Sequence, residues 1–154
     1  MWLYPLFITI CSIFIVAYSV IIFSFYRGWL KTPVIVTKKN NIATSVSVVI
    51  AARNEGANIG KLLSDLVLQD LPSEKFEVVV VDDGSDDQTP DILRSFSEKL
   101  PLKIISQKHE GKKAAIYKGV SVARYELIVS TDADCRVLPG WLSAMASYYD
   151  AEQP

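Results

Sequence analysis

Charge of either sign is missing from Met1 to Tyr26, and a helical segment without charge over that length has no soluble face. Within it, Leu3 to Phe25 reads "LYPLFITICSIFIVAYSVIIFSF", 23 residues that span roughly 35 Å as a helix, enough to cross a bilayer. A basic start and a small-residue cleavage site are also missing, which argues against a cleaved signal peptide. Acidic residues are absent between Tyr26 and Glu55, whereas Arg27, Lys31, Lys38 and Lys39 are present. That excess of basic charge predicts a single span at residues 1–26 with the remainder on the cytoplasmic side.

Cysteine and histidine are nearly absent too. Cys11 and Cys135 cannot make a disulfide framework or a zinc spacing, and with His109 alone no triad or histidine-rich metal site can form. The chain has no excess charge overall, 16 basic against 17 acidic side chains, so no field marks a nucleic-acid binder. Finally, "AARNEGANIG" lacks the glycine spacing that brings backbone against a dinucleotide pyrophosphate, which counts against a dinucleotide-dependent oxidoreductase.

What is present after a juxtamembrane linker at 27–45 is an alternation. "VSVVIA" (46–51), "FEVVVV" (76–81), "LKIIS" (102–106) and "ELIVS" (126–130) are short apolar, β-branched runs that predict strands. Between them, "IGKLLSDLVLQ" with Asn58 as cap, "TPDILRSFSEKL" with Thr89 as cap and Pro90 at the first position, and "KKAAIYKGVSVAR" predict helices. A last amphipathic helix is expected through Trp141, Leu142, Met145 and Tyr148. Strands apolar on both faces and separated by helices imply an α/β fold with a parallel sheet, occupying residues 46–154.

In such sheets ligands sit beyond the carboxyl ends of the strands. The polar residues fall there: "ARNEG", "DDGSDD", "QKHEGKK" and "TDADC" bring Arg53, Asn54, Glu55, Asp82, Asp83, Lys112, Asp132 and Asp134 to one edge. Asp132 and Asp134 share one side of an extended backbone, where two carboxylates repel unless a cation lies between them. A hard divalent ion, Mg²⁺ or Mn²⁺, suits oxygen ligands and leaves positions for a diphosphate. Asp82 or Asp83 could accept hydrogen bonds from a ribose hydroxyl or a base imide, and Gly84 permits a tight turn. Lys112 and Lys113 enter a helix where phosphate is favoured. Asp86 and Asp87 are expected to be solvated loop charges, and His109 a loop residue.

In order and register, "VVIAARNE", "VVVVDDGSDDQT", "GKKAAIYKGV" and "IVSTDADC" resemble the nucleotide-sugar half of family 2 glycosyltransferases, inverting enzymes of the GT-A, Rossmann-like fold. The resemblance implies a transferase moving a sugar from a metal-bound nucleotide-diphosphate sugar to a hydroxyl of a glycan or lipid-linked acceptor, in cell-surface polysaccharide or glycolipid synthesis at the bacterial inner membrane. It implies nucleoside contacts at Ala52, Arg53, Asn54, Glu55, Asp82 and Asp83, a nucleotide contact at Lys112, and a metal-binding Asp-x-Asp at Asp132 and Asp134. The family's catalytic base lies in a later motif, expected beyond residue 154, so the sequence reads as a truncated enzyme: a gene fragment, a partial chain or half of a split protein. Asp150 and Glu152 are poor substitutes on a tail expected to fray, and the fourth strand is expected to be partly uncovered. Two other readings stand beside this one: a non-catalytic membrane-tethered nucleotide-sugar-binding module, and a phospho-receiver domain with Asp82 and Asp83 holding Mg²⁺ and Asp132 phosphorylated.

Overall fold

The computed structural model describes residues 3–31 and 42–152. Two compact units result, one within residues 1–35 and one within 36–154. The first is a helix, α1 (Leu3–Leu30), long and apolar enough to cross a membrane. Three of its hydroxyls are satisfied inside the helix: Thr9, Ser12 and Ser19 donate to the carbonyls of Pro5, Ile8 and Ile15 at 2.8–2.9 Å, an arrangement compatible with a hydrocarbon environment. The helix outruns the expected end at Tyr26, because the aromatic and basic residues Tyr26, Arg27 and Trp29 suit a membrane interface without interrupting the backbone ladder. Lys38 and Lys39, with most of the expected linker, lie outside the described residues.

The second unit is a four-stranded parallel sheet in the order β3-β2-β1-β4, built from β1 (Val46–Ala52), β2 (Phe76–Asp82), β3 (Leu102–Ser106) and β4 (Leu127–Asp132). Both faces of the central strands are apolar because both are covered. Val46, Val48, Ile50, Val78 and Val80 pack with Ile59, Leu62, Leu63 and Leu66 of α2 (Ile59–Val67), Leu93 of α3 (Thr89–Ser95) and Leu142 and Ala146 of α5 (Trp141–Glu152). On the other face lies α4 (Lys112–Ser121), whose Gly119 sits so close that a Cβ there would meet Val49 Cγ1 at 2.5 Å and Val81 Cγ2 at 3.3 Å.

Several local expectations are corrected. Asn58 does not cap α2 with its side chain; its amide donates to the Glu55 carboxylate instead. Thr89 is not the cap of α3: it is buried and its hydroxyl accepts the Glu55 N–H at 2.8 Å, while Asp87 is an exposed loop charge as expected but also accepts from the N–H groups of Thr89 and Gly56, both at 2.9 Å. Each helix of the α2–α4 set is shorter than its pattern, with α3 ending at Ser95 in a series of turns.

α5 is turned away from the expected face. Leu142, Ser143 and Ala146 are buried, whereas Met145 and Tyr148 are exposed. The rotation is set at both ends of the helix, where Gln69 Oε1 accepts the Leu142 N–H and Asp150 accepts the N–H of Ala43 and the hydroxyl of Thr44. Asp150 is therefore a fastening rather than part of a frayed tail, and the Thr44 hydroxyl holds its pKa below the usual carboxylate range. β4 is an edge strand whose Leu127, Ile128 and Val129 are half-buried, in line with the expected partial cover.

Gly119→Ala tests this packing. Alanine gains about 1 kcal/mol of helix propensity, but a methyl group wedged against the stiff, buried Val49 costs more, so a net loss of about 1–2 kcal/mol is expected in urea denaturation of the detergent-solubilised chain. An unchanged or raised midpoint would show that α4 can move off the sheet.

Candidate active site

The strand order changes direction between β1 and β4, since β2 and β3 follow on one side of β1 and β4 returns to the other. At the carboxyl ends of these two strands, where Ala51 pairs with Asp132, lies a cavity of about 300 Å³. Its walls come from four strand ends: Ala51, Ala52, Arg53 and Glu55 after β1, Asp83 after β2, His109 and Lys112 after β3, and Asp132, Ala133 and Asp134 at β4.

Asp132 and Asp134 both line this cavity and are exposed to solvent, but not by the expected strand alternation: β4 ends at Asp132, and Ala133 and Asp134 form a turn closed by the Cys135 N–H on the Asp132 carbonyl. Lys112 Nζ lies 2.7 Å from Asp132 Oδ1, and the side chains of the pair are 62% and 54% exposed. The Asp132 carboxylate raises the Lys112 pKa, with a smaller contribution from Asp134. Such an exposed pair is worth little by itself and yields readily to a competing charge. A cation already sits on this carboxylate, as a hard divalent ion would, and an Asp-x-Asp oxygen set suits Mg²⁺ or Mn²⁺. Among the described residues no three His, Cys, Asp or Glu side chains converge to hold a metal, so an ion here needs further oxygens from a ligand and water.

Asp83 is 3% exposed and has four protein donors. Oδ1 accepts from Gln107 Nε2 (2.7 Å) and the Glu110 N–H (2.8 Å), and Oδ2 from His109 Nδ1 (2.8 Å) and the Gly111 N–H (2.9 Å). These bonds, that of Gln107 foremost, hold its carboxyl far below the usual carboxylate range despite burial. An ionised Asp83 makes His109 Nδ1 the donor, which leaves Nε2 to accept from Arg53 Nη1 at 2.6 Å. A relay Asp83–His109–Arg53 thus joins three strand ends. Gly84 (φ +74) makes the tight turn expected of it, and its missing Cβ leaves room for the His109 backbone, whose nitrogen would lie 3.2 Å away.

Of the expected site residues, Ala52, Arg53, Glu55, Asp83, Lys112, Asp132 and Asp134 line the cavity together. Asn54 and Asp82 do not. Asn54 (φ +55) turns away, its side-chain oxygen accepting the Asp86 N–H, and Asp82 is buried with Oδ1 accepting the Ser85 N–H. Lys113 is exposed and outside the walls. His109 is the residue that the sequence reading passed over. Its signal is position: it stands three residues before Lys112 on the loop that follows β3. The receiver reading loses its footing, because both Asp83 oxygens and Oδ1 of Asp82 accept from turn and loop donors, and among the described residues these acids form no metal-holding set with Asp132.

A carboxylate whose pKa is depressed in the fold stabilises fully above its unfolded value of about 3.9, and that stabilisation drains away as pH falls towards the folded value. Asp83→Asn is therefore expected to lower the urea midpoint at pH 7 and to flatten its decline below about pH 4. Equal slopes for both proteins in a pH series would contradict this assignment.

The family model for glycosyl transferase family 2 matches residues 47–154. The chain is 37% identical over 100 residues to the glycosyltransferase AglE of Haloferax volcanii, covering 63% of this chain and 33% of that protein. Among solved structures it is similar to Staphylococcus aureus TarS 1–349 in complex with UDP-GlcNAc (32% identity, TM-score 0.65, 70% of this chain and 32% of that one). It is also similar to the mannosyltransferase PcManGT of Pyrobaculum calidifontis in complex with GDP-Man and Mn²⁺ (30% identity, TM-score 0.70, 81% and 38%). The chain thus spans about a third of the length of these relatives, and it belongs to glycosyl transferase family 2.

Proposed function

We propose that the cavity holds a nucleotide-diphosphate sugar with a divalent cation, and that the protein of which these residues form the donor site transfers the sugar, with inversion, to a hydroxyl of a glycan or lipid-linked acceptor. The observation that carries this reading is the Lys112–Asp132 pair, with Asp134 beside it, at a cavity where four parallel strands end. The ligands of two relatives, UDP-GlcNAc and GDP-Man with Mn²⁺, support the same class of donor.

Each group has a task in this scheme. Asp132 and Asp134 hold the cation. When bound, the ion offsets the charge that gathers on the diphosphate as the anomeric bond breaks. Lys112 exchanges its bond to Asp132 for a phosphate oxygen, with the first amides of α4 directed at the same charge. Arg53 and Glu55, on the loop after β1, contact the nucleoside. Asp83 reaches the base or ribose by exchanging a side-chain donor, Gln107 or His109, since the Glu110 and Gly111 amides belong to the backbone that frames the loop. The acceptor hydroxyl attacks the anomeric carbon from the face opposite the leaving diphosphate, its proton passing to a carboxylate base. α1 supports an acceptor or product at a membrane, and its flanking Arg27 and Lys31 favour a cytoplasmic domain on a bacterial inner membrane.

Calorimetry of the detergent-solubilised chain with UDP and with GDP is expected to show binding that strengthens at least tenfold when Mn²⁺ is added. Asp132→Asn and Asp134→Asn should each remove most of that gain, and Lys112→Met should weaken binding a few-fold with or without metal. Binding indifferent to Mn²⁺ in the unsubstituted chain would overturn the metal-diphosphate assignment. Release of free sugar or transfer from a labelled donor separates an enzyme from a module that only binds.

A further inference from the structure

One ionic cluster lies outside the cavity and has no part in the scheme above. Asp65 of α2 is nearly buried, its side chain 11% exposed among the apolar residues Leu62, Leu63 and Leu66. Arg136 grips it with a two-pronged bond, Nε at 2.6 Å and Nη2 at 2.8 Å, and the Val137 N–H adds a third donor at 3.2 Å. One turn further, Gln69 donates to the Leu138 carbonyl (2.9 Å) and accepts the Leu142 N–H (3.0 Å), and the Asp70 N–H reaches the Pro139 carbonyl (2.9 Å). The segment after the acid pair is thus fastened to α2 and the turn behind it at five residues.

A helix that packs on a sheet needs no buried carboxylate to do so, and an apolar side chain would pack there without the desolvation cost. What the ionic version adds is geometry. Asp132 is fixed by the β4 ladder opposite Ala51, and the Cys135 N–H closes back on the Asp132 carbonyl at 3.2 Å. Ala133 is buried. Asp134 consequently lies between two anchored points, the strand end on one side and the Arg136 fork on the other.

We propose that Asp65 and Arg136 are positioning residues that hold Asp134 in the geometry at which it and Asp132 share a divalent cation with the diphosphate. This rests on the donor-site reading above. Groups that orient metal ligands typically cost ten- to a hundredfold in metal affinity when removed.

The test measures UDP and GDP affinity of the detergent-solubilised chain with and without Mn²⁺, together with melting temperature. In Asp65→Asn and Arg136→Met the Mn²⁺-dependent gain is expected to fall about tenfold while metal-free affinity stays within twofold. Arg136→Lys keeps the charge but not the fork, so it should lie between, and it carries the test if Arg136→Met does not fold. A gain unchanged within twofold in these variants, even with a lowered melting temperature, would leave the cluster purely structural and overturn the proposal. Asp132→Asn separates the two levels. If it too leaves nucleotide binding untouched, the donor-site reading fails and this inference with it; if it abolishes the gain while the cluster variants do not, only this inference fails.

Discussion

Two carboxylates at the mouth of one strand are the constraint from which the site is built. Like charges placed at one sheet edge repel, and because both acids are exposed the repulsion is screened by solvent rather than removed. The structure answers with a cation already on hand, Lys112, delivered by a helix that starts at the same sheet edge. That answer is provisional by its energetics. An exposed lysine pair contributes at most about 1 kcal/mol, so a doubly charged ion with a diphosphate can replace it at small cost.

The sheet makes this possible by register. Parallel pairing sets Ala51 beside Asp132 and Ala52 beside Asp82, so the strand ends reach one edge at the same level. Small residues at Ala51, Ala52 and Ala133 leave the cavity open between them. Asp83 then organises the neighbouring loop from within: four donors converge on it, and through His109 it directs Arg53 to the cavity. Charge is thus used in two ways within one site. The buried acid builds the loop with four donors, two of them exchangeable side chains, and the exposed acids keep open capacity for a ligand.

This division explains what the sequence disclosed and what it withheld. Apolar, β-branched runs marked all four strands to within a residue or two, and the polar residues that follow each run marked the carboxyl edge where the cavity lies. Side-chain roles within loops were less legible, because short polar residues bond backbone that is distant in the chain. Asp87 and Thr89 illustrate it: both read as exposed or capping residues, yet both secure the Glu55–Gly56 turn more than 30 positions away. Asn54 and Asp82 looked like ligand contacts because of their neighbours, and in the structure one side-chain oxygen of each, Oδ1, accepts a turn N–H while neither lines the cavity. α5 shows the same limit in a helix, since its rotation is set by Gln69 and Asp150, which no periodicity reveals.

The central claim is that Asp132 and Asp134 share one divalent ion with a diphosphate. Pulsed electron-nuclear double resonance on the chain loaded with Mn²⁺ and UDP or GDP reports whether phosphorus lies in the coordination sphere of a protein-bound ion. The account predicts a strong ³¹P coupling in the intact chain that disappears from the protein-bound signal in Asp132→Asn. A bound Mn²⁺ without ³¹P coupling, or one that persists unchanged in Asp132→Asn, would contradict it.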